Sequence, residues 1–141
     1  MNLQRLSLVT FSADDVPAAV DFYRRALGWE PDHIYEQDMA FYQFNGFVFA
    51  IASRAGWEAE ELGIEPPAYA VAAINFPTSA EVDAAVAGWV SAGGAVQKMP
   101  HATYWGGYSG YVRDAAGNLL ELAVNPEWPI TDEGYTVMPK A

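Results

Sequence analysis

The densest group of side chains suited to ligand contact lies late in the chain, within residues 102–111. Four aromatic residues stand there among three glycines: Tyr104, Trp105, Tyr108 and Tyr111. Glycine permits tight turns and close backbone approach, and aromatic rings offer stacking and cation–π surfaces. The pattern predicts a binding loop for a flat or cationic ligand. The alternative is that Trp105 and Tyr108 fill a junction within the fold or a dimer interface.

The sequence lacks the side chains that several kinds of catalytic centre require. The sequence contains no cysteine, which excludes disulfides, metal–thiolate sites and thiol chemistry. No glycine-rich loop with a lysine is present to hold a phosphate. The stretch at residues 107–110 contains Ser109 but lacks the spacing of a nucleophile elbow.

The net charge of the chain limits the classes of partner that it is expected to bind. Eighteen acidic and seven basic residues give a net charge of −11, and the basic residues are scattered apart from Arg24 and Arg25. Nucleic-acid binding needs clustered lysine and arginine, so we expect neither a nucleic-acid nor a membrane partner. A neutral or cationic small molecule is favoured, unless the acidity serves only solubility. We see no targeting signal or bilayer-length apolar run and expect a cytoplasmic protein.

A weak internal repeat organises the chain. Residues 15–20 align with residues 81–86 after a shift of 66 positions, and Tyr23 then falls on Trp89. Both stretches have the apolar periodicity of a helix. Each half is predicted to run strand, helix and three further strands. The predicted strands are residues 6–12, 33–36, 40–44, 47–53, 69–76, 95–99, 108–113 and 118–124.

Local signals place the boundaries of these elements. Thr78 and Glu81 form a capping box, and Gly28 ends the first helix. We expect one domain, with module 1 at about 1–53, a linker at 54–67, module 2 at about 68–125 and a tail at 126–141. The linker includes a short acidic helix at residues 57–62 and is a candidate lid. Trp57 and Trp128 are weaker candidates for ligand contact.

In this arrangement the chain resembles the vicinal oxygen chelate superfamily, which includes glyoxalase I, bleomycin-resistance proteins and extradiol dioxygenases. The resemblance rests on residues 9–15, 19–23 and 27–28, and on residues 107–114 and 117–122. Residues 123–126 are similar to a bacterial glyoxalase-like subgroup. The resemblance spans residues 5–128 and implies an α+β fold. In that fold, two tandem βαβββ modules form a curved mixed sheet with the helices outside.

The resemblance also implies where a metal would bind. Metal-dependent members place a histidine on the first strand and a glutamate on the last strand of a half, and Glu121 matches one such glutamate. The other positions fall on side chains without a lone pair: Leu8, Ala50 and Ile74, with Ala72 or Ala73 as alternatives to Ile74. One carboxylate cannot hold a divalent ion tightly. We expect no metal or cofactor, unless His101 and Glu121 form an unusual site.

Strand alternation then predicts the lining of the cup. With Glu121 inward, the inward residues are Leu6, Leu8, Thr10, Val48, Ala50, Ala52, Ala72, Ile74, Phe76, Leu119, Ala123 and Asn125. An apolar cup with one carboxylate is the usual make-up of a ligand pocket. Burial raises the pKa of such a carboxyl, so Glu121 can act as a base or bind a cation. Alternatively, it only accepts hydrogen bonds from a neighbouring strand. No second carboxylate is expected in the cup.

Three functions compete. The first is a metal-free, homodimeric binding protein for an aromatic or cationic small molecule, resembling bleomycin-resistance proteins, with Glu121 as polar anchor. Its expected contacts are Glu121, Trp105, Tyr104, Tyr108, Tyr111, His101, Asn125, Leu8, Ala50 and Ile74. The second is a glyoxalase-type lyase or isomerase, or a dioxygenase with an atypical metal site. There Glu121 would be the catalytic base, and Tyr108, Tyr111 or His101 would stabilise an oxyanion. The third is a non-catalytic interaction module with Trp105 and Trp128 at an interface.

Overall fold

A computed structural model describes residues 2–140 of the chain. The elements in chain order are β1 (Leu8–Ser12), α1 (Val16–Leu27), β2 (His33–Tyr35), β3 (Met39–Gln43), β4 (Val48–Ala52), α2 (Arg54–Glu58), β5 (Val71–Asn75), α3 (Ser79–Ser91), β6 (Ala95–Ala102), β7 (Tyr108–Arg113) and β8 (Leu119–Val124). The fold is α+β, and each half contains the predicted strand, helix and three strands.

All eight strands form one mixed sheet in the order β2-β3-β4-β1-β5-β8-β7-β6. β1 pairs in parallel with β4, and β5 pairs in parallel with β8. The two halves meet where β1 and β5 pair antiparallel, with Leu8 opposite Ala73. The sheet curves into an open cup, as the resemblance implied, and a single chain supplies every strand of it.

The convex face of the sheet is covered by the two long helices. α1 packs on β3 and β4 through Val16 and Val20, and α3 packs on β6, β7 and β8 through Val82 and Val86. Burial of these apolar side chains provides the main stabilisation of the helices, since short helices are marginal in water.

Capping side chains fix where both helices begin. The Asp15 carboxylate accepts a hydrogen bond from the Ala18 N–H at 3.0 Å, and the Thr78 hydroxyl accepts one from the Glu81 N–H at 3.2 Å. Such caps satisfy amides that have no partner inside the helix. Gly28 ends α1 in the left-handed region at φ 71°, which glycine adopts without steric cost. The predicted helix ends are therefore confirmed.

The repeat shift of 66 places the strands incorrectly. Leu8 and Val71, which begin β1 and β5, are 63 residues apart, as are the two N-caps Asp15 and Thr78. The three extra residues amount to almost one helical turn, so the apolar faces of the two helices still align under the shift of 66. An odd error inverts a strand, however, because successive side chains point to opposite faces. The predicted inward orientation of Ala72, Ile74 and Phe76 is wrong.

The linker packs over part of the cup. Its helix α2 begins three residues earlier than the predicted 57–62, because the Ser53 hydroxyl caps it by accepting from the Gly56 N–H at 3.1 Å. Trp57 and Leu62 are buried against Val71 on the concave side. The linker therefore forms one wall of the cup.

The tail packs along the first half of the sheet. The Gln43 side chain donates to the Thr136 carbonyl at 3.0 Å and accepts from the Met138 N–H at 2.7 Å. Near the start of the tail, Trp128 meets Phe41 edge to face with ring centroids 5.4 Å apart. No helix among residues 2–140 is long and apolar enough to cross a membrane.

Candidate functional site

The concave face of the sheet encloses a cavity of about 550 Å³. Its floor comes from β1, β5, β7 and β8, and its walls come from β3, the linker, the loop after β6 and the start of the tail. A second depression of about 480 Å³ lies beside Trp29 and Phe44, at the end of α1. The cup is the candidate site because two half-buried carboxylates with raised pKa values, those of Glu60 and Glu121, both line it.

Strand register brings the centre of the floor into one row. Leu8 lies opposite Ala73, Ala73 beside Glu121, and Glu121 opposite Tyr111. Side chains of directly paired residues point to the same face of a sheet. Two of these neighbours are small or aliphatic, so Glu121 projects into apolar surroundings with the Tyr111 phenol at its side.

Glu121 is the most perturbed acid of the site. The Ser109 hydroxyl donates to its Oε2 at 2.6 Å. Burial raises the pKa of Glu121 from 4.5 to about 7, and the nearby charge of Glu60 adds to the rise. Hydrogen bonds from Ser109 and Tyr111 act in the opposite direction. At neutral pH this carboxyl therefore exchanges readily between its protonated and ionised forms.

Glu60 is a second carboxylate in the same cavity. It lies just after α2 in the linker and faces the cavity. Burial raises its pKa, while the Lys98 charge and a hydrogen bond from Trp105 lower it. The Lys98 ammonium also donates to the Glu60 carbonyl oxygen at 2.7 Å, which holds this part of the linker against β6.

The two carboxylates also act on the neighbouring phenols. Burial and the charges of Glu60 and Glu121 raise the pKa of both Tyr104 and Tyr111. For the deeply buried Tyr111 the rise is well above the ordinary value. Both side chains therefore stay protonated across the physiological range and are able to donate hydrogen bonds.

Aromatic side chains form most of the cavity wall. The aromatic lining residues are Tyr35, Phe41, Trp57, Tyr104, Trp105, Tyr111 and Trp128. The Trp57 indole is fixed, because its Nε1–H donates to the Ser12 hydroxyl at 3.0 Å and that hydroxyl donates to the Pro67 carbonyl at 2.6 Å. Fixed rings provide preformed stacking surfaces for a ligand.

The charge of the lining is one-sided. Its acidic residues are Glu36, Asp38, Glu60, Glu121 and Glu127. Within the described part of the chain, no lysine, arginine or histidine lines the cavity. An acidic cavity with aromatic walls attracts cations and disfavours anions.

The structure places six of the ten predicted ligand contacts at the cavity. These six are Glu121, Trp105, Tyr104, Tyr111, Asn125 and Leu8. Ala50 lies on the same face of the sheet, opposite Phe41 in β3, but it is fully buried and does not line the cavity.

The other three predicted contacts lie elsewhere. Ile74 packs with the α3 side of the core, as a consequence of the register of β5. The Tyr108 phenol donates to the Asp83 carboxylate of α3 at 2.6 Å, so it points away from the cup. The His101 Nδ1 lies 3.1 Å from the Met99 carbonyl oxygen at the edge strand β6. None of the three lines the cavity.

Sequence reasoning missed several lining residues, most importantly Glu60. The expectation that Glu121 is the only acid in the cup is wrong, because the linker folds back over the strands. The identification of that linker as acidic and as a candidate lid contained the necessary signal. Phe41 also lines the cavity, beside Trp128.

Comparison with known proteins identifies the family. The model of the Glyoxalase/Bleomycin resistance protein/Dioxygenase superfamily matches residues 5–122, and the chain belongs to this superfamily. A comparison with curated proteins finds no match.

Solved structures share the fold. A glyoxalase-related enzyme from Fulvimarina pelagi is 32% identical over 96% of this chain and 99% of that chain, with a TM-score of 0.49. Methylmalonyl-CoA epimerase from Streptomyces coelicolor, in complex with 2-nitronate-propionyl-CoA, has a TM-score of 0.63 at 20% identity. The match covers 89% of this chain and 99% of that chain. The Mn(II)-bound glyoxalase from Novosphingobium aromaticivorans has a TM-score of 0.61 at 20% identity, and the match covers 99% of this chain and 42% of that longer chain.

The side chains of this cup do not fit the divalent metal of the family's metal-dependent members. On the four central strands, the inward side chains are aliphatic apart from Thr10, Ser12, Asn75 and Glu121. No group of three or more histidine, cysteine, aspartate or glutamate side chains within residues 2–140 is placed to hold a metal ion. Dedicated divalent sites use at least three such ligands, so we derive no step through a metal.

Proposed function

We propose that this protein binds a small organic cation with a flat or apolar body, and that Glu121 is the anionic anchor for its charge. One observation carries the proposal. A single cavity combines the half-buried carboxylates of Glu60 and Glu121 with seven aromatic residues and, within the described chain, has no basic residue in its lining. A cation that enters it exchanges water for ring faces and carboxylates, which compensates the cost of desolvation.

The size of the cavity supports this class of ligand. A volume of about 550 Å³ lies within the range typical of small-molecule sites. The homodimer that the resemblance implies stays a prediction.

A matched pair of probes tests the proposal. N-methyl-4-phenylpyridinium is a permanent flat cation, and 4-phenylpyridine is its uncharged counterpart at about pH 8. Three tryptophans line the cavity, so binding can be followed by fluorescence quenching and confirmed by calorimetry. We expect the cation to bind at least about tenfold more tightly than the neutral probe.

Variants connect that preference to the anchor. The Glu121→Gln variant keeps the hydrogen-bond acceptor for Ser109 and removes the charge, so the preference for the cation should fall several-fold, to about the level that Glu60 and the aromatic walls maintain. Glu133→Gln removes the same charge from an exposed position in the tail and is the matched control. Equal binding of both probes to the wild-type protein would refute the proposal.

A second candidate is proton transfer at a carbon acid. The pKa of about 7 at Glu121 favours it, because a base near neutrality can both remove and return a proton. The protonated Tyr111 phenol next to it is an available hydrogen-bond donor for an oxyanion. The acidic lining disfavours an anionic acyl-CoA, so the substrate of such a reaction is neutral or cationic.

Hydrogen–deuterium exchange tests this candidate. Dihydroxyacetone is a small uncharged α-hydroxyketone whose carbon-bound protons are visible by NMR. Exchange in D₂O that is accelerated by the wild-type protein, and not by Glu121→Gln, would support catalysis. Exchange at the buffer rate with both proteins would count against catalysis of proton transfer by Glu121.

A further inference from the structure

Two carboxylates enter the cavity from different parts of the fold. Glu121 rises from strand β8 in the floor, while Glu60 comes from the linker that covers the cup. Tyr104 and Tyr111 lie within the electrostatic reach of both carboxylates. The two negative charges therefore face one enclosed space from the floor and from a wall.

The position of Glu60 is fixed through its backbone. The Lys98 ammonium donates to the Glu60 carbonyl at 2.7 Å, and the Gln97 amide donates to the Leu62 carbonyl at 2.9 Å. Neighbouring residues of a regular strand point to opposite faces, but the register of β6 against β7 shifts between Val96 and Lys98. This irregularity lets both side chains reach the linker.

These contacts have a consequence for the Glu60 side chain. Both hydrogen bonds end on backbone oxygens, so they hold the linker without occupying the Glu60 carboxylate. The nearby Lys98 charge favours the ionised form of that carboxylate. Trp105 donates one hydrogen bond to the Glu60 carboxylate, and Lys98 is not part of the cavity lining, so no positive group inside the cavity faces Glu60.

We propose that Glu60 and Glu121 together select ligands that carry two positive centres on a rigid aromatic frame. The inference rests on the proposed function and specifies its ligand class. A monocation can pair with only one of the two carboxylates. The other then has no cationic partner from the ligand, which is costly in a desolvated site. A dication neutralises both, and the aromatic walls contact the frame between the charges.

Methyl viologen and N-methyl-4-phenylpyridinium form the test pair, because both are flat biaryls with permanent charges of two and one. We expect wild-type protein at about pH 8 to bind methyl viologen at least about tenfold more tightly, measured by calorimetry at two salt concentrations. This measurement needs no variant and by itself can overturn the inference.

The Glu60→Gln variant tests whether Glu60 causes the preference for the dication. The backbone carbonyls that Lys98 and Gln97 contact remain in this variant, so the linker should keep its place. We expect Glu60→Gln to bind the monocation within about threefold of wild type and to lose the preference for the dication. Glu61→Gln, an exposed neighbour outside the lining, is the matched control and should keep that preference.

The outcomes separate the two proposals. If wild type binds the monocation better than 4-phenylpyridine but shows no preference for the dication, the dication inference is wrong and the proposed function stands. A dication preference that survives in Glu60→Gln removes Glu60 from the site. If neither cation binds better than the neutral probe, the proposed function fails, and the inference fails with it.

Discussion

Replacing Glu121 by glutamine should stabilise the protein in a pH-dependent way. The wild-type carboxyl has a pKa of about 7 in the folded state and an ordinary value of 4.5 when the chain is unfolded. The glutamine side chain would still accept the hydrogen bond that Ser109 now donates at 2.6 Å, and it would carry no charge to bury. The change therefore isolates the cost of ionising a carboxyl in this cavity.

The sign follows from proton binding. Between pH 4.5 and about 7 the folded protein keeps the Glu121 proton and the unfolded chain releases it. Unfolding then releases a proton, so the free energy of unfolding of the wild type falls as the pH rises. At 1.36 kcal/mol for each pKa unit, the full loss is about 3 kcal/mol above pH 7. About 2 kcal/mol of it falls between pH 5.5 and pH 8.

Urea unfolding followed by tryptophan fluorescence measures this difference. The experiment should stay above pH 5, because the pI of the sequence is near 4.3 and proteins are least soluble at a pH close to their pI. The quantity to compare is the free energy of unfolding of the variant minus that of wild type, since acids that do not interact with Glu121 titrate equally in both. Glu133→Gln, exposed in the tail, controls for the loss of one negative charge.

We expect the Glu121→Gln advantage to grow by about 2 kcal/mol from pH 5.5 to pH 8, with unchanged dependence on urea concentration. An advantage that is the same at both pH values would refute the reasoning. It would mean that the Glu121 carboxyl is solvated in the cavity as it is in water. An advantage of the same size in Glu133→Gln would assign the effect to net charge instead.

Three further changes test the surroundings of the anchor. Ser109→Ala removes a hydrogen bond to the Glu121 carboxylate and should raise its pKa by about one unit. The pH midpoint of N-methyl-4-phenylpyridinium binding should then move upward. Gly107→Ala places a Cβ against both the Trp105 ring and the Val124 carbonyl oxygen, so we expect the ring and the loop that carries it to shift and this cation to bind about tenfold more weakly, measured by fluorescence titration. Thr78→Ala removes the cap of α3 and should lower the free energy of unfolding by about 1 kcal/mol in urea, with binding unchanged.

Local patterns in the sequence account for the architecture of this protein. Helical periodicity recurs in both halves of the chain, and the cap at Thr78 and the turn at Gly28 mark helix boundaries. They predict strand, helix and three strands twice. The residues that resemble the superfamily then give the cup and place Glu121 within it. Local conformational preferences and hydrophobic patterning act over short distances, so the sequence records them directly.

The composition of the site follows from contacts between segments that are distant in the sequence. Pairing of β1 with β5 turned Ala73 inward and Ile74 outward, because one residue of register inverts a strand. The Tyr108 phenol found its partner on α3 instead of a ligand. Glu60 joined Glu121 because side chains of β6, far along the chain, hold the linker over the cup. Each outcome depends on contacts between distant segments, whose geometry is set when the sheet closes and not by neighbours in the sequence.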